Sequence, residues 1–211
     1  AMHDALTGLP NRRHFEMSLA SRIAELAGYG RRFGLLIADI DRFKLVNDRH
    51  GHATGDIALR TVARTLLESS RAGDEVARFG GEEFALTITD LDAPDLRAIA
   101  ERFRILVQRS RVRAGGLDLL ITISIGGTIA GVGDTAEAIF QRADAALYRA
   151  KESGRNCVRL AGDADDAGSV GGGGDAGAAG GAGNVGAAGN VGAAGNVGAA
   201  GAAGNVGAAG A

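Results

Sequence analysis

Two acidic clusters in this chain have the residue types and the setting to hold a cation. One is Arg78-Phe79-Gly80-Gly81-Glu82-Glu83-Phe84-Ala85, where two glycines and two carboxylates separate two apolar runs. Stretches 75–79 and 84–89 read as strands, so the residues between them are predicted to form the tip of a β-hairpin. Gly-Gly is a favoured two-residue turn there, because glycine reaches positive φ without a Cβ clash. Bare backbone at Gly80 and Gly81 also lets a bulky ligand come close. Adjacent acids at such a tip gain nothing for the fold, and they make sense if a divalent cation binds them. The other cluster closes Gly34-Leu35-Leu36-Ile37-Ala38-Asp39-Ile40-Asp41, a nearly continuous apolar run that reads as a central strand buried on both faces. Carboxylates from the two clusters about 4 Å apart would repel by roughly 4 kcal/mol at an effective dielectric near 20. Mg²⁺ or Mn²⁺ turns that repulsion into coordination, since hard cations take carboxylate, carbonyl and water oxygens.

The elements that must position these clusters can be read from periodicity. Residues 11–27 carry Phe15, Leu19, Ile23 and Leu26 at helical spacing, with Asn11 as N-cap after Pro10. A strand ends at Asp39, and a short helical turn through Phe43 and Val46 enters a polar loop, 47–52. Ile57, Leu59, Val62, Leu66 and Leu67 mark a second long helix that Thr54 would cap. Further helices are expected over 93–111 and 136–152, a central strand over 119–126 and a last strand over 156–160. Cys157, the single cysteine, falls in that last strand and reads as a buried structural thiol; a disulfide framework is excluded. Interleaved strands and helices with one hairpin predict an α+β or α/β sandwich, a mixed sheet with helices packed on it.

Composition divides the chain. From about Ala161 onward it is almost only Gly, Ala, Asn and Val, and this segment holds 19 of the 35 glycines. Gly-Asn-Val-Gly-Ala-Ala begins at Gly183, Gly189, Gly195 and Gly204. With no aromatic, Leu or Ile side chain it cannot bury enough surface to offset its ordering entropy, so 161–211 is expected to be a disordered tail. Residues 1–160 suit one globular domain. Without the tail's four aspartates the net charge is +2 rather than −2, with no basic stripe, which argues against duplex nucleic acid. No signal peptide or apolar stretch of transmembrane length is present. Ala1-Met2 reads as a cloning remnant followed by a start inside a longer chain.

Five blocks then resemble one family in order and spacing. They are Asp4-Ala5-Leu6-Thr7-Gly8-Leu9-Pro10-Asn11-Arg12, Asp39 through Asp48, Gly51-His52 with Gly55-Asp56, Arg78 through Phe84, and Ala143 through Tyr148 on to Lys151 and Gly154-Arg155-Asn156. Over residues 3–160 the chain resembles GGDEF domains, the diguanylate cyclases, with Glu82 where the family name has Asp. The resemblance implies a mainly antiparallel five-stranded sheet flanked by helices, like the palm of nucleotide polymerases and nucleotidyl cyclases. It also implies conversion of two GTP into cyclic di-GMP and two pyrophosphates.

Carried over residue by residue, the resemblance makes Asp39, Glu82 and the Ile40 carbonyl metal ligands, with Glu83 assisting. Glu82 is also the family's proposed proton acceptor, although a metal-bound carboxylate is a poor base. Asn47 and Asp56 match the guanine-reading pair, with His52 nearby. Read without the family, Asn47 is equally a turn residue and Asp56 a first-turn acid favoured by the helix dipole. His50 and His52 lack partner cysteines for zinc. Lys44, Lys151 and Arg155 match phosphate contacts, and Lys44 would neutralise charge developing on the phosphoryl group. Arg71 and Asp74 match the family's RxxD inhibitory product site, with Arg102 a further candidate. Two domains must face each other as a homodimer, each presenting one GTP. A cytoplasmic location and a missing upstream sensory domain complete the expectation. The alternative is a non-catalytic receptor for cyclic di-GMP or GTP; loss of an acid at Asp39 or in the hairpin would favour it, and neither is lost.

Overall fold

In the computed structural model, residues 1–163 are described; the tail expected over 161–211 lies almost wholly outside them. The elements are α1 (Arg12–Tyr29), β1 (Phe33–Ile40), α2 (Phe43–His50), α3 (His52–Ser69), β2 (Glu75–Arg78), β3 (Glu83–Thr89), α4 (Ala93–Arg109), β4 (Arg111–Ala114), β5 (Leu117–Leu120), β6 (Ile123–Ile129), α5 (Ala136–Glu152) and β7 (Val158–Leu160). Five strands form one sheet in the order β2-β3-β1-β6-β7, antiparallel except for the β6–β7 pair. The α+β class with a mainly antiparallel five-stranded sheet is therefore what the chain adopts.

Helices cover both faces, which explains why β1 is apolar almost throughout. Leu36, Ala38 and Ile40 enter a core with Ala58, Leu59, Val62 and Leu66 of α3 and Leu96, Ile99 and Phe103 of α4. The alternate residues Phe33, Leu35 and Ile37 enter a second core with Phe15 and Leu19 of α1 and Ile139, Ala143 and Leu147 of α5. All eight residues of β1 are buried.

Several boundaries differ from expectation for identifiable reasons. The α2 helix runs on to His50, so Asn47 to His50 are helical; Gly51 at φ 81° makes the break, its N–H donating to the Asn47 carbonyl at 2.8 Å. Thr54 is inside α3 and caps nothing, its hydroxyl donating instead to the His50 carbonyl at 2.8 Å. The single strand expected over 119–126 is two strands: β5 pairs with β4 in a separate ribbon and β6 enters the main sheet. The tight Gly-Gly turn exists, but at Gly115 and Gly116 (φ 55° and 81°) between the paired Ala114 and Leu117. Gly80 and Gly81 are not at positive φ; their loop spans 79–82, with the N–H groups of Phe79 and Gly80 both donating to the Glu83 carbonyl. Cys157 precedes β7 rather than lying in it and is half-buried, its Sγ 3.2 Å from the Ala150 carbonyl.

Candidate active site

At the end of β1 the strand's alternation turns Asp39 to the α5 side of the sheet. Its side chain is only 8% exposed, and the Lys151 ammonium on the last turn of α5 lies 2.9 Å from Oδ2. Burial pushes the Asp39 carboxyl above its ordinary range, against the pull of Lys151 and, more weakly, of Arg155. Across the ladder Asp39 faces Glu83, and the next residue, Ile40, donates its N–H to the Glu82 carbonyl at 3.2 Å. The two acidic clusters thus meet. Glu82 is also raised, first by burial and then by the negative charge of Asp39, with Lys151 opposing.

Arg78 holds the loop in place. Its guanidinium binds both carboxylate oxygens of Asp4 at 3.1 and 3.0 Å and donates to the Gly81 carbonyl at 2.7 Å. Asp4 in turn accepts from the Thr7 N–H and hydroxyl, and these bonds keep its carboxyl below the usual range despite burial. Gly80 serves by having no side chain: a Cβ there would stand 2.5 Å from Glu83 Oε2. Phe79 stacks on Phe140 of α5 at 4.9 Å, with the Arg12 guanidinium 4.7 Å from the Phe79 ring.

The remaining candidates fall into two groups. Lys44 and Asn47 lie one turn apart on α2, while His52 and Asp56 lie one turn apart on α3. The helices meet where Asn47 covers Gly55, so closely that a Cβ on Gly55 would be 1.9 Å from Asn47 Oδ1. That Oδ1 is buried against Gly55 without a hydrogen-bond partner. Away from this site, Arg71 and Arg102 line one cleft together with Thr89 and Asp95. Asp74 does not pair with the Arg71 guanidinium; its carboxylate accepts the backbone N–H groups of Arg71 and Thr89 at 3.0 and 3.2 Å.

The donors at the β1 end fit a hard divalent cation. Burial destabilises both carboxylates as anions, and the charge of Asp39 adds to the effect on Glu82; hard cations take such carboxylates together with backbone carbonyl oxygens. Among the described residues, no three His, Cys, Asp or Glu side chains gather closely enough to hold an ion. Glu83 lies instead against Gly80 and lines a cleft with Arg12, Phe79 and Phe140. A pair of carboxylates is the pattern by which Mg²⁺ is held when waters and substrate phosphates complete its shell.

Sequence reasoning gave no role to Asp41. Its carboxylate accepts from the Thr122 and Ser124 hydroxyls, both at 2.6 Å, and from the Asn156 N–H at 3.0 Å. Nothing local marks these partners, which lie 81, 83 and 115 residues along the chain.

Comparison with known proteins agrees with this fold. The family model described as "Diguanylate cyclase, GGDEF domain" matches residues 1–157. The chain belongs to that family. This GGDEF domain is 45% identical over 161 residues to the response regulator PleD of Caulobacter vibrioides, covering 75% of this chain and 36% of that protein. It is 41% identical over 162 residues to the diguanylate cyclase DgcM of Escherichia coli, covering 76% of this chain and 38% of the relative. The chain thus spans little more than a third of these relatives' length. Among solved structures, the GGDEF domain of DgcB from Caulobacter crescentus in complex with c-di-GMP superposes with a TM-score of 0.74 at 36% identity, covering 76% of this chain and 96% of that one. Diguanylate cyclase SiaD of Pseudomonas aeruginosa, in complex with its activator SiaC, gives 0.74 at 38% identity, over 76% and 62% of the two chains. Among the described residues, no helix is long and apolar enough to cross a membrane.

Proposed function

We propose that this GGDEF domain is a diguanylate cyclase joining two GTP molecules into cyclic di-GMP. The observation that carries the reading is the meeting of Asp39 and Glu82, two partly desolvated carboxylates beside the Lys151 ammonium. The 3′-oxygen of each GTP attacks the α-phosphorus of the other, and each attack breaks the bond to a pyrophosphate. Two phosphodiesters form, two pyrophosphates leave, and two hydroxyl protons pass to solvent.

A bound Mg²⁺ or Mn²⁺ would supply Lewis-acid stabilisation of the attacking and leaving oxygens; Asp39, Glu82 and the Ile40 carbonyl would hold it. Lys151 and Arg155 bind triphosphate oxygens, and Lys44 offsets charge gathering on the phosphoryl group. Asn47 and Asp56 read guanine, because a carboxylate accepting from N1–H and N2–H₂ is left unpaired by adenine. His52 borders the base, and Gly80 and Gly81 admit the phosphates against bare backbone. One domain presents one GTP, so catalysis needs two copies related by a two-fold axis. Arg71 and Arg102, lining one cleft, bind the product as an inhibitor with Asp74 beside them. The supply of GTP sets the reaction in the cytoplasm, and an upstream sensory part would control the pairing.

Incubation with GTP and Mg²⁺, followed by chromatographic resolution of nucleotides, tests the reading. Cyclic di-GMP should appear at a rate rising more than linearly with protein concentration, with ATP left untouched. Binding of GTP or cyclic di-GMP with no product at any concentration would establish the receptor alternative instead.

A further inference from the structure

The Gly154-Arg155-Asn156 segment that follows α5 is left-handed throughout, with φ of 107°, 66° and 46°. Two consecutive non-glycine residues in that region need outside support, because L side chains adopt it rarely. The end of α5 itself holds Arg155, whose N–H donates to the Ala150 carbonyl at 3.1 Å, and two anchors from outside the turn hold Asn156. Its side-chain carbonyl accepts from Arg104 of α4 at 2.9 Å, and its N–H donates to Asp41 Oδ2 at 3.0 Å. Asp41 is itself fixed by the buried Ser124 and by Thr122, hydroxyl to carboxylate at 2.6 Å each, the length of charge-assisted bonds. The carboxylate thus joins the end of β1, the start of β6 and the turn after α5. That turn carries Arg155, which is exposed on the cleft between α2 and β5 and close enough for its charge to act on Asp39.

We propose that Asp41 is a positioning residue: through Thr122, Ser124 and the Asn156 N–H it holds the left-handed turn that presents Arg155 to the cleft between α2 and β5. It does not ligate metal. Three of its about four acceptor positions are already taken by protein donors, which leaves a single lone pair on Oδ1. The proposal rests on the cyclase reading for its substrate, whereas the tether itself does not.

The chemistry of the donors yields a sharp test. The hydroxyls of Thr122 and Ser124 can rotate to accept from an amide, but the Asn156 N–H can only donate. Asp41→Asn, with its amide oxygen towards Asn156, should therefore keep KM for GTP within about threefold. Asp41→Ala should raise KM about 10- to 100-fold, the range for losing a hydrogen bond to a charged group, with kcat changed far less. In both variants the half-saturating Mg²⁺ concentration should stay at the wild-type value. Adding Asp41→Ala to Arg155→Ala should cost little more than Arg155→Ala alone. If Asp41→Asn is as impaired as Asp41→Ala and its Mg²⁺ requirement shifts, Asp41 is a metal ligand and the proposal fails; full additivity with Arg155→Ala overturns it equally. Should Asp41→Ala not fold, Thr122→Val withdraws one hydroxyl from the same carboxylate and should raise KM less, again without shifting the Mg²⁺ requirement; an unchanged KM would count against the tether. Hydrogen exchange at the Asn156 amide reads the tether with no turnover at all. It should quicken in Asp41→Ala (or in Thr122→Val) and stay slow in Asp41→Asn, and equal exchange in all forms would sink the idea. A wild-type protein that makes no product but shows this exchange pattern would remove the cyclase reading and leave the tether standing.

Discussion

At the residue scale, the site's acids are held in a state that costs the fold something. Burial and Asp39 raise the Glu82 carboxyl, so the folded chain binds that proton more tightly than the unfolded chain does. The stabilising contribution is therefore complete below the unfolded pKa and is lost as pH rises through the folded one; at neutral pH ionised Glu82 is a liability. Glu82→Gln should raise the melting temperature of the metal-free protein at pH 7, and the gain should vanish near pH 3. Solvent screening keeps the effect under about 1 kcal/mol, about 1–3 °C for a domain of this size. Thermal unfolding by circular dichroism at the two pH values checks it. Asp39 was legible in the sequence because it falls at the end of an apolar run, and Glu82 because it follows two glycines between two apolar runs. Asp41 looks the same on paper as Asp39, two positions away. Only partners brought in by folding make one a candidate ligand and the other an anchor.

At the element scale, close packing of helix on sheet depends on particular glycines. A Cβ on Gly126 of β6 would lie 2.1 Å from the Leu147 N and 2.3 Å from the Ala143 carbonyl oxygen, both backbone atoms of α5. Backbone cannot yield as a side chain can, so Gly126→Ala should destabilise by about 3 kcal/mol, the upper end for overpacking. Gly28 in the last turn of α1 has nothing within 4 Å of the same position, and Gly28→Ala should instead stabilise by about 0.5–1 kcal/mol. Urea denaturation of the two variants separates these cases. Such distinctions explain where sequence reading of the elements succeeded. The helix α1 was legible from periodicity and from its cap, Asn11 accepting the His14 N–H, whereas the α5 cap, Thr135 accepting the Ala138 N–H, emerges only from the structure. The β4–β5 ribbon was hidden because Leu119 and Leu120 run on into the apolar stretch of β6, and because β4 is only the four residues Arg111–Ala114. Gly80-Gly81 and Gly115-Gly116 are indistinguishable until pairing partners are known: the second makes a tight turn, and the first opens a wider loop that Arg78 ties to Asp4.

For the whole molecule, two sites must communicate if the proposed product inhibition holds. The Arg71–Arg102 cleft is built from the turn before β2 and from α4, whereas Asp39 and Glu82 stand at the other end of the β1–β3 ladder, the end opposite the Phe33–Thr89 pair. Arg71→Ala should shift the inhibition curve for added cyclic di-GMP at least tenfold to higher concentration and leave initial turnover within about twofold, given that a charge-assisted contact to phosphate is worth 1.5–3 kcal/mol. Steady-state rates against added product measure this. An unchanged curve would remove the cleft from the account.

The central claim is that Asp39 and Glu82 jointly hold the cation on which GTP turnover depends. Its most direct test compares wild type with Glu82→Gln in cyclic di-GMP formation across a Mg²⁺ titration at pH 7.5. Wild type should need the metal and stop on chelation, and the variant should lose at least about 100-fold in rate at saturating Mg²⁺, the scale for removing an electrostatic contributor to the transition state. Turnover by Glu82→Gln within about threefold of wild type at the same half-saturating Mg²⁺ would contradict the account.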